Sequence, residues 1–96
     1  MIMTKFNPKG ADLLINAIIK IQDEDTCKEF LADLLSIQEY ETMSQRMEVA
    51  KCLSEKKSYQ EIADTTGAST ATISRVNRCY VYGDGGYKKI LTLIKD

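Results

Sequence analysis

Apolar residues recur at helical spacing along nearly the whole chain, and no stretch alternates convincingly with period two. The pattern predicts an all-α protein, and start and stop signals place six helices. The first runs from about Pro8 to Ile21, with Asn7 as its cap and proline at the well-tolerated first position. Between Ala11 and Ile21 only Asp12, Asn16 and Lys20 are polar, and they fall on one narrow stripe. A helix that is apolar around the rest of its circumference needs cover on several sides, so it points to a second subunit. The second helix, about Glu24 to Leu35, follows Asp23 as cap and turns Cys27, Phe30, Leu31 and Leu34 inward. Ser36-Ile37-Gln38-Glu39 is a capping box and opens a long third helix to about Lys56, with Tyr40, Met43, Met47, Ala50 and Leu53 inward. Ser58-Tyr59-Gln60-Glu61 is a second capping box, opening a short fourth helix that ends at Thr66. Gly67 is its left-handed stop, and Ser69 caps a fifth helix from Thr70 to about Tyr82. Gly83-Asp84-Gly85-Gly86 breaks that helix, and Tyr87, Ile90, Leu91 and Ile94 line a sixth.

Ninety-six residues make one domain, and so short a chain buries little of its own surface unless a partner completes the core. No apolar run is long enough to span a membrane, and the N-terminal stretch Met1 to Pro8 lacks the order of a signal peptide. Cys27, Cys52 and Cys79 are scattered and odd in number, and the chain has no histidine. Neither a zinc site nor a disulfide framework is expected, and the three read as buried thiols of a reducing cytoplasm. Net charge is −1, but its distribution is uneven. Residues 21–65 carry a local −6, whereas residues 66–96 carry +3 and the first twenty +2. A chain acidic in the middle and basic near its C-terminus can still present a positive face to a polyanion.

Two short helices joined by a tight glycine turn form the core of a DNA-reading motif, here spanning about Tyr59 to Tyr80. Ala63, four residues before Gly67, is small where the helices must cross, and Ile62, Ile73 and Val76 are apolar where they must meet. Thr66 and Ala68, flanking the turn, are more polar or smaller than a tight core prefers. The remaining positions of the fifth helix and its cap are Ser69, Thr70, Ala71, Thr72, Ser74, Arg75, Asn77 and Arg78: short, mostly hydrogen-bonding groups and two long cations. Small side chains let a helix N-terminus come close to base edges, where its partial positive charge also favours phosphate. No acidic residue lies between Thr66 and Tyr82, so nothing there repels DNA. The glycine cluster at 83–86 lacks the Lys-Ser/Thr of a phosphate loop and no strand precedes it, so it reads as a plain turn. Without histidine or a nucleophile–base pair, an enzyme is not expected.

The run Gly67-Ala-Ser-Thr-Ala-Thr-Ile-Ser-Arg75, preceded by Ser58-Tyr-Gln-Glu-Ile62, closely resembles the Trp-repressor superfamily. The Ala-Thr-Ile-Ser-Arg-Val-Asn-Arg run at 71–78 and the Tyr-Gly-Asp-Gly-Gly-Tyr tail at 82–87 are most similar to its YerC/YecD-type Trp-repressor-like branch. The stretch from Leu35 to Arg46 matches that family's long central helix, and the likeness extends from about Ala11 to Leu91. The resemblance implies a six-helix fold and a homodimer with interlocked N-terminal helices. It also implies DNA contact from Thr70, Ala71 and Thr72, with Ser74 nearby, and from Tyr59 and Gln60 on the first motif helix. In the Trp repressor, tryptophan lies between two arginines. Arg75 matches one, and Arg46 matches the other if one residue is gained or lost before Ser58. Val76 stands where the repressor has glycine, and Cys79 where it has serine, so an indole would meet a branched side chain and a weaker hydrogen-bonding partner. Tryptophan is therefore not expected as a tight corepressor, and no cofactor is expected.

The chain is thus expected to be a single cytoplasmic Trp-repressor-like domain that regulates transcription by reading an operator in double-stranded DNA as a homodimer. The alternative is a helical dimerisation or interaction module without DNA binding.

Overall fold

The computed structural model describes residues 7–94, and the expectation about a leader falls mostly on residues outside that range. Six helices follow in order: α1 (Ala11–Lys20), α2 (Glu24–Leu34), α3 (Ile37–Ser54), α4 (Tyr59–Thr66), α5 (Thr70–Tyr82) and α6 (Gly86–Leu93). The described residues contain no strand, and the all-α, six-helix expectation holds. They fall into two compact units, one ending at Tyr40 and the other beginning at Glu41.

In the N-terminal unit, α1 starts three residues later than expected. Asn7 does not cap it. Instead Ala11 N–H donates to the Pro8 carbonyl at 3.0 Å, closing a turn, and Gly10, at φ 88°, precedes the helix with no side-chain cap. Asp23 does cap α2, its carboxylate accepting from Thr26 N–H at 2.8 Å. That bond, stronger to the ionised form, holds the Asp23 carboxyl below its usual range. The α1 side chains Leu13, Leu14, Ile15, Ile18 and Ile19 are all exposed, and α1 buries no residue fully. Leu34, expected to face inward, is also exposed.

The C-terminal unit holds the core: Val49, Ala50 and Cys52 from α3, Ile62 from α4, Ala68 from the turn, and Ile73 and Val76 from α5. Leu53, Ala63, Tyr87 and Leu91 pack around it. Of the α3 residues expected inward, Ala50 is buried and Tyr40, Met47 and Leu53 are half-buried, but Met43 is exposed, and Val49 and Cys52, not expected there, are buried. Of the three thiols expected to be buried, Cys52 is, Cys27 is partly so, and Cys79 is exposed. The α3 helix ends in a Schellman motif in which Lys57 N–H donates to the Cys52 carbonyl and Lys56 N–H to the Leu53 carbonyl. Lys56 takes the left-handed position, φ 63°, that glycine usually fills.

The end of α5 shows why a glycine stands there. A Cβ on Gly83 would lie 2.3 Å from the Cys79 carbonyl oxygen, the same oxygen that accepts the Gly83 N–H at 2.9 Å. Gly83→Ala therefore forces a backbone shift and should destabilise the protein by about 1–3 kcal/mol. Gly86→Ala is the contrast: its Cβ meets nothing within 4 Å inside a helix, so a gain of about 0.5–1 kcal/mol is expected. Urea midpoints of the two variants should move in opposite directions, and equal shifts would contradict this account.

Candidate nucleic-acid interface

The helix-turn-helix is built from local signals. Ser58 Oγ accepts from Glu61 N–H at 3.2 Å, while Glu61 Oε1 accepts from Ser58 N–H at 2.8 Å, so the predicted capping box forms and sets the start of α4. These bonds favour the ionised form and hold the Glu61 carboxyl below its usual range, the backbone bond contributing most. The box at Ser36 and Glu39 forms in the same way, with Ser36 N–H to Glu39 Oε1 at 2.8 Å. Gly67 closes α4 at φ 75°, a conformation in which a Cβ would crowd the backbone, and its N–H donates to the Ala63 carbonyl at 2.9 Å. Ser69 then caps α5, its Oγ accepting from Thr72 N–H at 3.1 Å.

The core fixes which side of α5 faces outward. Ile73 and Val76 are buried, so the residues between and beyond them turn to solvent: Ser69, Thr70, Ala71, Arg75 and Arg78 are exposed. Thr72, Ser74 and Asn77 are half-buried at the edges of that face. The Thr72 hydroxyl accepts from Ser69 Oγ at 3.1 Å, so it is already engaged in the cap. No acidic side chain stands in the first turn of α5, leaving the positive end of the helix dipole uncompensated. Neither Arg75 nor Arg78 is ion-paired among the described residues, where the pairs are Lys28–Glu24, Lys51–Glu55 and Lys57–Glu55. Both guanidinium groups are free to meet phosphate. On α4, Tyr59 and Gln60 are exposed at the first turn, and Gln60 Nε2 donates to Asp64 Oδ1 at 3.0 Å.

The residues matching the tryptophan site differ in exposure. Val76 is 2% exposed inside the core, whereas Arg75 and Cys79 are exposed and Arg46 is half-buried. A recess of about 440 Å³ lies elsewhere, lined by Lys51, Glu55, Tyr80, Lys88 and Leu91 among others, and none of the four expected residues lines it. Lys88 sits over the Tyr80 ring at 5.3 Å.

Two sets of contacts at the turn show only in the structure, one made by Thr66 and one by Gln45 of α3. Thr66 Oγ1 donates to the Ile62 carbonyl at 2.8 Å and accepts from Ala68 N–H at 3.1 Å, locking the turn. Gln45 Nε2 donates to the Thr66 carbonyl at 3.3 Å. Threonine before a glycine stop carries a signal that could have been read, because its hydroxyl can bond back to the carbonyl four residues earlier. Gln45 gives none, because its partner is twenty-one residues away.

Comparison with known proteins agrees with this architecture. Residues 9–94 match the sequence model of the Trp repressor protein family. The chain is 43% identical over 96 residues to the uncharacterized protein YerC of Bacillus subtilis (strain 168), covering 100% of this chain and 92% of that one. A crystal structure of a TrpR-like protein from Eubacterium eligens superposes with TM-score 0.85 at 44% identity, covering 91% of this chain and 90% of that one. A candidate Trp repressor from Staphylococcus aureus superposes with TM-score 0.86 at 36% identity, covering 92% of this chain and 88% of that one. With the sequence matched over nearly its whole length and the fold shared with solved relatives, the chain belongs to the Trp repressor family.

Proposed function

We propose that this protein is a sequence-specific DNA-binding transcriptional regulator, a repressor, that reads the major groove with α5 as a homodimer. One observation carries the reading. A capped, acid-free helix N-terminus presents Thr70 and Ala71 outward, with unpaired Arg75 and Arg78 on the same exposed side. Short groups can approach base edges while the cations grip the backbone. Tyr59 and Gln60 at the start of α4 add a second row for phosphate or base contact, and Ser74 and Asn77 flank the first. A two-fold dimer calls for two symmetric half-sites about one helical turn apart. Genome-wide mapping of bound sites, followed by mobility shifts on the recovered fragments, tests the proposal. Unchanged mobility on every fragment would leave a helical interaction module instead.

The effector reading follows from Val76. Buried at 2% exposure beside Ile62 and Ile73, it fills the space that the resemblance would assign to an indole. The valine then does a structural job, packing the motif helices so that they are competent for DNA without a ligand. Isothermal titration with L-tryptophan should show no binding at micromolar concentrations, and operator affinity should be the same with and without the amino acid. Micromolar affinity would show that Val76 leaves the site open.

A further inference from the structure

We propose that Gln45 is a positioning residue for DNA reading: it ties the turn of the helix-turn-helix to α3 and so fixes how α5 is presented to the groove. The inference rests on the DNA-binding reading and names the device that orients that site. Thr66 is the last residue of α4, so its carbonyl is one of those a helix end leaves without an intrahelical partner. Gln45 supplies the partner from α3, donating from Nε2 at 3.3 Å in a part-buried position. The same threonine passes the constraint on. Its Oγ1 holds the Ile62 carbonyl behind it and the Ala68 N–H ahead of it, one residue before the Ser69 cap of α5. A continuous chain of polar contacts therefore runs from α3 through the turn to the start of the recognition helix.

Among described residues 45–94, every other side-chain hydrogen bond spans four residues or fewer. The rest of the core between α3 and the motif is apolar, with Val49, Ala50 and Cys52 of α3 clustered with Ile62, Ala68, Ile73 and Val76, and Leu53 and Ala63 packed against them. Apolar burial is itself non-directional, and the angle it gives the helices comes from the fit of side-chain shapes. A hydrogen bond is directional and weakens steeply when misaligned. Gln45 thus adds a directional tie to the packing, and we assign to that tie the fine aim of α5. Base readout depends on that aim, whereas phosphate contact by long, mobile arginines does not.

Three variants and two measurements test the assignment. Gln45→Met keeps the length of the side chain and removes the donor. It should lower the ratio of operator to non-specific DNA affinity about five- to tenfold, the worth of one hydrogen bond, while leaving non-specific affinity unchanged. Gln45→Glu cannot donate as a carboxylate and faces the Thr66 carbonyl oxygen with its charge, so it should be at least as defective as Gln45→Met at pH 7. As pH falls through the carboxyl range, near 4–5, the protonated acid regains a donor, and its ratio should rise above that of Gln45→Met at the same pH. Gln45→Asn, too short to reach, should show the defect at every pH. Amide hydrogen exchange of free protein is read alongside: in Gln45→Met, Gly67 and Ala68 should exchange faster while Val49 and Ile73 stay protected. An unchanged affinity ratio in Gln45→Met, or identical pH profiles for Gln45→Met and Gln45→Glu, would overturn the assignment. If wild-type protein bound no operator, the DNA-binding reading would fall by itself, and unaltered exchange at Gly67 and Ala68 would then separately refute the tie.

Discussion

Ile18→Asp is expected to leave no folded protein at micromolar concentration, although Ile18 is 50% exposed in the single chain. The two statements conflict only if the chain works alone. Leu13 and Ile19, 75% and 68% exposed, stand on the same helix, and α1 buries none of its own residues fully. Five large aliphatic side chains exposed together on one ten-residue helix are an unusual surface for a monomer. Under the homodimer proposal they lie in a core shared by two chains, where an unpaired carboxylate costs several kcal/mol. A small domain has about 5–15 kcal/mol of stability in all, so loss of that order unfolds the assembly rather than releasing a soluble monomer. Asn16→Asp is the control. Asn16 lies on the polar stripe, and its side-chain oxygen already accepts from Lys20 Nζ at 3.0 Å, so the added charge meets a cation. Its melting temperature should stay near wild type, and wild-type melting should rise with protein concentration. Sedimentation equilibrium that found Ile18→Asp folded and monomeric would refute the shared core.

Local chemistry was legible in the chain, and tertiary geometry was not. Ser36 with Glu39, Ser58 with Glu61, Gly67 and Ser69 all act within four residues of themselves, and each forms the cap or stop that its residue type predicts. Asn7-Pro8 carried the same kind of signal, but the chain first makes a turn from Pro8 to Ala11 with Gly10 in the left-handed region, and α1 starts only after it. The inner face of α3 was read correctly at Ala50 but not at Met43, because the helix has apolar residues on more than one side. Met43 and Val49 satisfy periodicity about equally well, and what decides between them is the position of Ile62 and Ile73, which no local rule supplies.

The candidate site divides along the same line. Apolar Ile62, Ile73 and Val76 at their spacing identified the buried side of the motif, and by elimination the exposed side with Thr70, Ala71, Arg75 and Arg78. Thr66 read as a departure from a tight core because only its polarity was visible. In the structure that polarity is its use, since the hydroxyl bridges the two ends of the turn. Cys79 read as buried because thiols usually are, yet it falls on the outer side of α5, three residues past buried Val76.

Neutralising Arg78 is expected to weaken binding to every DNA sequence tested, because the side chain is exposed, unpaired and long enough to reach the phosphate backbone. Each phosphate contact releases condensed counterions, so log affinity falls with log salt by about 0.9 per contact. Under the homodimer proposal the substitution is present twice, and Arg78→Ala should then flatten the salt slope by about two units. At moderate salt that amounts to a loss of about tenfold or more, equal for operator and for non-specific fragments. Arg75→Ala should act in the same manner, since that guanidinium is also exposed and free of carboxylates among the described residues. Thr70→Ala should behave differently. Its hydroxyl stands exposed at the first turn of α5, where groups reach base edges, so its loss should change which operators are preferred and leave the salt slope alone. Thr72→Ala should shift preference too, with some loss of stability, because its hydroxyl also accepts from the Ser69 cap. The check is a set of titrations of each variant against operator and scrambled duplexes at several salt concentrations. If Arg78→Ala re-ranked the operators while Thr70→Ala changed only the slope, the roles would be reversed, with the arginine reading bases and the N-terminal turn holding the backbone.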